Sequence, residues 1–206
     1  MVKHKLSMYL AHLFQFLVIF TIAYSFYFGD YVYGLAGIFG LIITFIPALL
    51  TRAYKLTLPW ELNFLIILAL FLEIAGGVFG WYDRFDQFYY DKITHLVSFG
   101  TIAVFGMISV IILDVYTEIK LNRPMIFFLI IIFTLAMGVI WEFFEFGIDF
   151  YCERGVACGV IQQKNNLDTM TDLFADFFGG IIAAIVGDFY LKHAPREKFI
   201  QTYLND

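Results

Sequence analysis

Apolar residues run through this chain in long blocks broken by short polar stretches, with no sustained alternation of apolar and polar positions. A helix needs about 20 apolar residues to cross the hydrocarbon core of a bilayer. The sequence offers six such blocks, roughly 9–28, 31–50, 60–80, 92–113, 125–149 and 168–191. The second is the cleanest, since no charge interrupts Tyr31 to Leu50. Pro47, Pro59, Pro124 and Pro195 fall near block ends, where a missing N–H costs least. The blocks predict an all-α fold, a polytopic transmembrane bundle of about six spans, with residues 1–206 forming a single integral membrane domain. Short connections make neighbouring helices antiparallel. There is no internal repeat, low-complexity tract or linker.

Composition sharpens this picture. The chain is 61% hydrophobic and only 15% charged, with a mean hydropathy of +0.80. A soluble domain has about a quarter of its residues charged and could not hide this much apolar surface, so lipid is the expected solvent. The net charge of −5, without any basic run, argues against a nucleic-acid partner. The first block has no clear small-residue cleavage site and reads as a retained span.

Positive charge sets the expected orientation. Lys3, Lys5, Arg52, Lys55, Lys120, Arg123, Lys192, Arg196 and Lys198 fall on one side, and Arg84, Lys92, Arg154 and Lys164 on the other. Nine against four places both termini in the cytoplasm of a cell with the chain in its cytoplasmic (inner) membrane. Trp81, Tyr82, Tyr89 and Tyr90 then anchor the outer interface. Gly76 with Gly80, and Gly180 with Ala184, form small-xxx-small pairs expected to let helices pack closely.

The polar residues carry the candidate chemistry. An ionisable residue inside a span costs about 2.5–3.5 kcal/mol on insertion scales. Asp91 and His95 are spaced i, i+4; Glu142, Glu145 and Asp149 are i, i+3, i+7; Asp168, Asp172 and Asp176 are i, i+4, i+8. Each set shares one helix face, and all three lie at one membrane level in the outer half. So many carboxylates need bound cations, shared protons, or the side chains of Lys92, Arg84 and Arg154. Lys92 sits one residue off the Asp91–His95 face and the two arginines lie in loops, so these three are not expected to suffice. Oxygen-rich sites with one imidazole suit Mg²⁺, Mn²⁺, Ca²⁺ or Zn²⁺.

Asp91, His95, Glu142, Glu145 and Asp172 are therefore the candidate metal ligands, with Asp168 and Asp176 as candidate catalytic bases. The bland alternative is that Asp168 and Asp91 are helix N-caps. Glu73 stands apart, deep in the third span. Asp83 and Asp86 flank its outer end, and Asp188 is expected at the cytoplasmic interface. Cys152 and Cys158 share the loop after the fifth span; an exported loop would allow a disulfide, and free thiols are the alternative.

Phe85-Asp86, Asp91-Lys92…His95, Trp141-Glu142…Glu145 and Gln162…Asp168-Thr169…Asp172…Gly179 together resemble the YjdF-like bacterial inner-membrane proteins, a family without an assigned activity. The Asp-Lys…His and Asp…Asp…Gly elements also resemble the VanZ-like proteins linked to teicoplanin resistance. The resemblance covers about residues 80–187. It implies a membrane location and is silent on chemistry.

The leading reading is a metal-dependent membrane enzyme whose site opens to the outer leaflet and takes a lipid or lipid-linked substrate. A cation- or proton-coupled transporter is the second reading, which the lack of internal repeats weakens. A nonenzymatic subunit locked together by its acidic cluster is the third. No Gly-x-Ser-x-Gly element is present to suggest a serine nucleophile.

Overall fold

The computed structural model describes residues 2–45, 60–85, 87–117, 119–152 and 162–193. Among these the chain is helical without strands: α1 (Val2–Tyr27), α2 (Tyr31–Ile43), α3 (Trp60–Val78), a one-turn α4 (Trp81–Arg84), α5 (Gln87–Tyr116), α6 (Arg123–Cys152) and α7 (Asn166–His193). Within α1, α3, α5, α6 and α7 lie five stretches long and apolar enough to cross a membrane. α2 supplies a shorter apolar helix, Tyr31–Ile42, so the second span expected over 31–50 is seen only in its first part. Pro47, Pro59, Pro195, Asp86, Arg154 and Cys158, with the side chain of Cys152 and hence the expected disulfide, lie outside what is described.

Local chemistry explains the breaks. Gly29, at φ +82°, ends α1 in a conformation that costs glycine little, and Asp30 then caps α2 by accepting from Tyr33 N at 3.3 Å. Asn122 caps α6 by accepting from Met125 N at 2.9 Å, which places Pro124 in the first turn where its missing N–H is harmless. Asn165, and not Asp168, caps α7: its Oδ1 accepts from Leu167 N and Asp168 N at 2.9 and 3.2 Å. Asp91 lies inside α5 and caps nothing. The expected N-cap alternatives for these two aspartates are therefore set aside.

Two helix groups make up the bundle. α1, α2 and α3 pack around Ala11, Val18, Ile22, Ile67 and Ile74. α5, α6 and α7 pack around Ala103, Met107, Val110, Ile111, Ile126, Ile130, Ala183 and Ala184. Contacts between α3 and α5 join the groups, reinforced by Tyr90 Oη donating to the Leu72 carbonyl at 2.7 Å. The polarity of the bundle is inverted relative to a soluble protein. Phe143, Phe144, Phe146, Phe174 and Phe178 are exposed, whereas Thr94, His95, Glu142, Asp172 and Asp176 are buried. Lipid outside and polar groups sheltered inside is the arrangement a bilayer demands. Thr21, Thr94, Thr101 and Thr134 satisfy their hydroxyls on carbonyls one turn back.

The glycines distribute differently from the sequence expectation. Gly80 has φ +64° with open space around it, so it is a turn residue leading into α4 and not a packing residue. Gly76 faces the rings of Tyr82 and Tyr90, and Gly180 faces Thr134. At α5 and α7 backbone meets backbone: a methyl on Gly179 would stand 2.8 Å from both Gly100 N and Leu96 O. A Cβ there is sterically excluded, and this contact aligns the polar halves of the two helices.

Candidate functional site

The polar stripes of α5 and α7 meet about one to three turns beyond the Gly100–Gly179 contact, toward the N-terminal ends of both helices. Lys92 is their centre. Its Nζ donates to Asp172 Oδ1 at 2.6 Å, to Asp168 Oδ1 at 2.9 Å and to Asp91 Oδ2 at 2.9 Å. The sequence reading discounted Lys92 because its Cα is off the Asp91–His95 face. Four methylenes of stem carry the ammonium across the gap. Asp168 is fixed at its other oxygen by Lys164 N at 3.2 Å.

His95 lies beside this knot and is 4% exposed. Its Nδ1 is 3.0 Å from Asp176 Oδ1, while Nε2 is 3.6 Å from Asp172 Oδ1 and 3.9 Å from Asp91 Oδ1. Ligand atoms of Asp91, His95 and Asp172 all lie within 4.8 Å of one another, close enough for one metal ion to reach all three. Glu142 and Glu145 are not in that group. Glu142, 5% exposed, accepts from Gln163 Nε2 at 2.7 Å, and Gln163 also reaches the Glu142 carbonyl at 3.1 Å. Glu145 is half-buried and accepts from Trp141 Nε1 at 2.8 Å. Asp149 is used structurally, holding Gln162 N and Gln163 N at 2.8 and 2.7 Å. Those bonds fold the segment before α7 back onto α6 and deliver Gln163 to Glu142.

Glu73 is less isolated than the sequence suggested. It accepts from Tyr82 Oη at 3.0 Å and lies within electrostatic range of His95 and Asp91. Tyr82, on α4, has its phenol pushed well above the ordinary range, by burial first and then by the negative charge of Glu73. It therefore stays a neutral donor. Far from this site, Asp188 pairs with Lys192 at 3.0 Å and Arg123 at 3.5 Å, and the buried Asp114 accepts from Leu121 N at 2.5 Å. Gln163, Tyr82 and the central role of Lys92 were not anticipated. A long cationic side chain next to an acidic stripe was the one available signal.

Residues 9–193, which include every helix of the site, match the predicted membrane protein family DUF2238. The chain belongs to that family. DUF2238 membership agrees with the YjdF-like resemblance and, with the five apolar helices, with an integral membrane location. No curated protein and no solved structure matches significantly.

Proposed function

We propose that this DUF2238 protein is a membrane enzyme that uses a divalent cation, held by Asp91, His95 and Asp172, to act on a lipid or lipid-linked substrate. The observation that carries the reading is the orientation of His95. With Asp176 as a carboxylate, Nδ1 bears the proton and the Nε2 lone pair faces carboxylate oxygens of Asp91 and Asp172 at 3.9 and 3.6 Å. In that tautomer a lone pair and two carboxylate oxygens converge on one point, where a cation would add to the charge that Lys92 already supplies at Asp172 and Asp91. A carboxylate behind the far nitrogen is also how metal-binding histidines are commonly oriented and made more basic. One imidazole with two carboxylates favours Zn²⁺ or Mn²⁺ over Ca²⁺ or Mg²⁺.

Such an ion would polarise a phosphoryl or carbonyl oxygen or lower the pKa of a bound water. Asp168 and Asp176 spend oxygens on Lys92 and His95 respectively, so in this reading they position those two side chains instead of serving as bases. Lys92 is set to hold an anionic group of the substrate once the metal takes its share of Asp91 and Asp172. The exposed phenylalanines of α6 and α7 allow a lipid to arrive from the side.

The transporter reading has less support, because Asp114, the buried acid at the far end of α5, is engaged in closing the α5–α6 connection and does not extend a path. The test is metal analysis of detergent-purified protein. The expected result is bound divalent metal that Asp172→Asn and His95→Ala deplete, with Zn²⁺ or Mn²⁺ raising the thermal midpoint of the metal-free wild type. A wild type that binds no metal, and whose stability ignores chelators, would overturn the metalloenzyme in favour of proton sharing.

A further inference from the structure

Two buried carboxylate oxygens remain outside the bonding just described. Among the described residues, neither Glu142 Oε1 nor Asp176 Oδ2 has a hydrogen-bond partner. Both side chains are more than nine-tenths buried. Each is anchored by its other oxygen, Glu142 on Gln163 Nε2 at 2.7 Å and Asp176 on His95 Nδ1 at 3.0 Å. They are thus held in place while one oxygen of each is left unsatisfied. An unpartnered carboxylate oxygen in a low-dielectric interior is costly.

Their positions place them on one seam. Gly138 faces Asp176 directly: a methyl there would collide with Oδ2 and stand 3.2 Å from Cγ. Glu142 is four residues on, one turn along the same face of α6. Glycine at 138 makes room for the carboxylate of Asp176 itself, and Glu142 follows one turn along α6. Glu142 also acts electrostatically on Asp176.

We propose that Glu142 and Asp176 hold a second divalent cation in the α6–α7 seam, distinct from the ion at Asp91, His95 and Asp172. Its ligands are Glu142 Oε1 and Asp176 Oδ2, and a double positive charge balances the two carboxylates. Asp176 then links the sites, with Oδ1 on His95 and Oδ2 on the second ion. Paired cations of this kind clamp the attacking and leaving oxygens of a phosphoryl transfer, which makes a phosphate ester or anhydride the substrate class. This last step rests on the enzymatic reading above, and the second ion does not.

The experiment is a Mn²⁺ titration of the purified full-length protein, with metal counted by mass spectrometry and the ions' magnetic coupling read by electron paramagnetic resonance. Wild type should take two ions per chain and show a coupled pair. Glu142→Gln, isosteric and able to keep Gln163, should take one ion and lose the coupling. Gly138→Ala should do the same without removing a carboxylate. Asp172→Asn should lose the other ion and keep the seam ion. One ion per chain in wild type, depleted by Asp172→Asn and indifferent to Glu142→Gln and Gly138→Ala, would overturn the second site and leave the first standing. An ion sensitive to Glu142→Gln and insensitive to Asp172→Asn would support the seam site and overturn the first. Unchanged circular dichroism and elution volume qualify each variant as folded. Should Gly138→Ala fail that check, Glu142→Gln decides.

Discussion

Lys92 Nζ and Asp172 Oδ1 meet at 2.6 Å across the α5–α7 interface, and that ammonium is shared with Asp91 and Asp168. One cation therefore neutralises carboxylates from two helices. Removing one partner of a buried ion pair costs about 3–5 kcal/mol because the other charge is left behind. Lys92→Met strands three charges and should lower the thermal midpoint more than any single Asp91→Asn, Asp168→Asn or Asp172→Asn. Combining Lys92→Met with Asp172→Asn should recover part of the loss. A Lys92→Met protein as stable as wild type would show that protons or ions already neutralise the aspartates.

The α5–α7 contact predicts an asymmetry between two glycines. A methyl on Gly179 meets backbone at 2.8 Å, whereas one on Gly100 meets Gly179 Cα at 3.7 Å, an ordinary contact. Gly179→Ala should destabilise by about 1–3 kcal/mol, as overpacking does. Gly100→Ala should be near neutral. Gly147→Ala, with nothing within 4 Å, should gain from the better helix propensity of alanine, by up to about 1 kcal/mol. Detergent unfolding curves of the three variants check the order, and equal losses at 100 and 179 would contradict it.

Tyr82 supplies a pH dependence. An unfolded tyrosine ionises near pH 10, whereas the folded Tyr82 phenol is held well above its ordinary value. The unfolded state therefore releases its proton first. The stabilisation is complete below about pH 10 and is lost as pH rises from there toward the folded value. Stability should fall less steeply above pH 10 in Tyr82→Phe than in wild type. At pH 7 the same variant leaves Glu73 short of a donor and should cost about 1–3 kcal/mol. Unfolding curves at stepped pH read both effects.

Sidedness can be read directly. With Cys152 and Cys158 replaced by serine, a single cysteine at Asn165 marks the site end of the bundle and one at Lys192 marks the opposite end. An impermeant thiol reagent on intact cells should label the first and spare the second, because Lys and Arg are concentrated at the Lys192 side. The reverse pattern would put the acidic site at the cytoplasmic face.

Helix number and class were legible because each span is a long apolar run, a signal that needs no partner to read. Helix starts were less so: α5 begins at Gln87 where the apolar run suggested 92, since Gln87, Tyr89 and Tyr90 are polar enough to fall outside an apolar run, although Tyr90 packs against α3. Periodicity put Asp91 with His95, and Asp172 with Asp176, on shared faces. It could not say which face of α6 would meet them. Lys92 escaped because a helical wheel places Cα atoms, and a lysine acts several ångströms from its own. The Gly100–Gly179 approach escaped for a different reason. Small-xxx-small patterns are read within one helix, and here a single glycine on each of two helices makes the contact.

The close seating of α7 on α5 also sets an order of events during synthesis. Lys92 and Asp172 are 80 residues apart, a gap that a ribosome covers in roughly 4–16 s at about 5–20 residues per second. For that interval Lys92 and His95 have entered the bilayer with Asp91 as their sole carboxylate from this group. The nascent fifth helix must be sheltered, by the insertion machinery or by water held at the interface, until the last helix arrives with three aspartates. The buried polar cluster is complete only when α7 has joined α5.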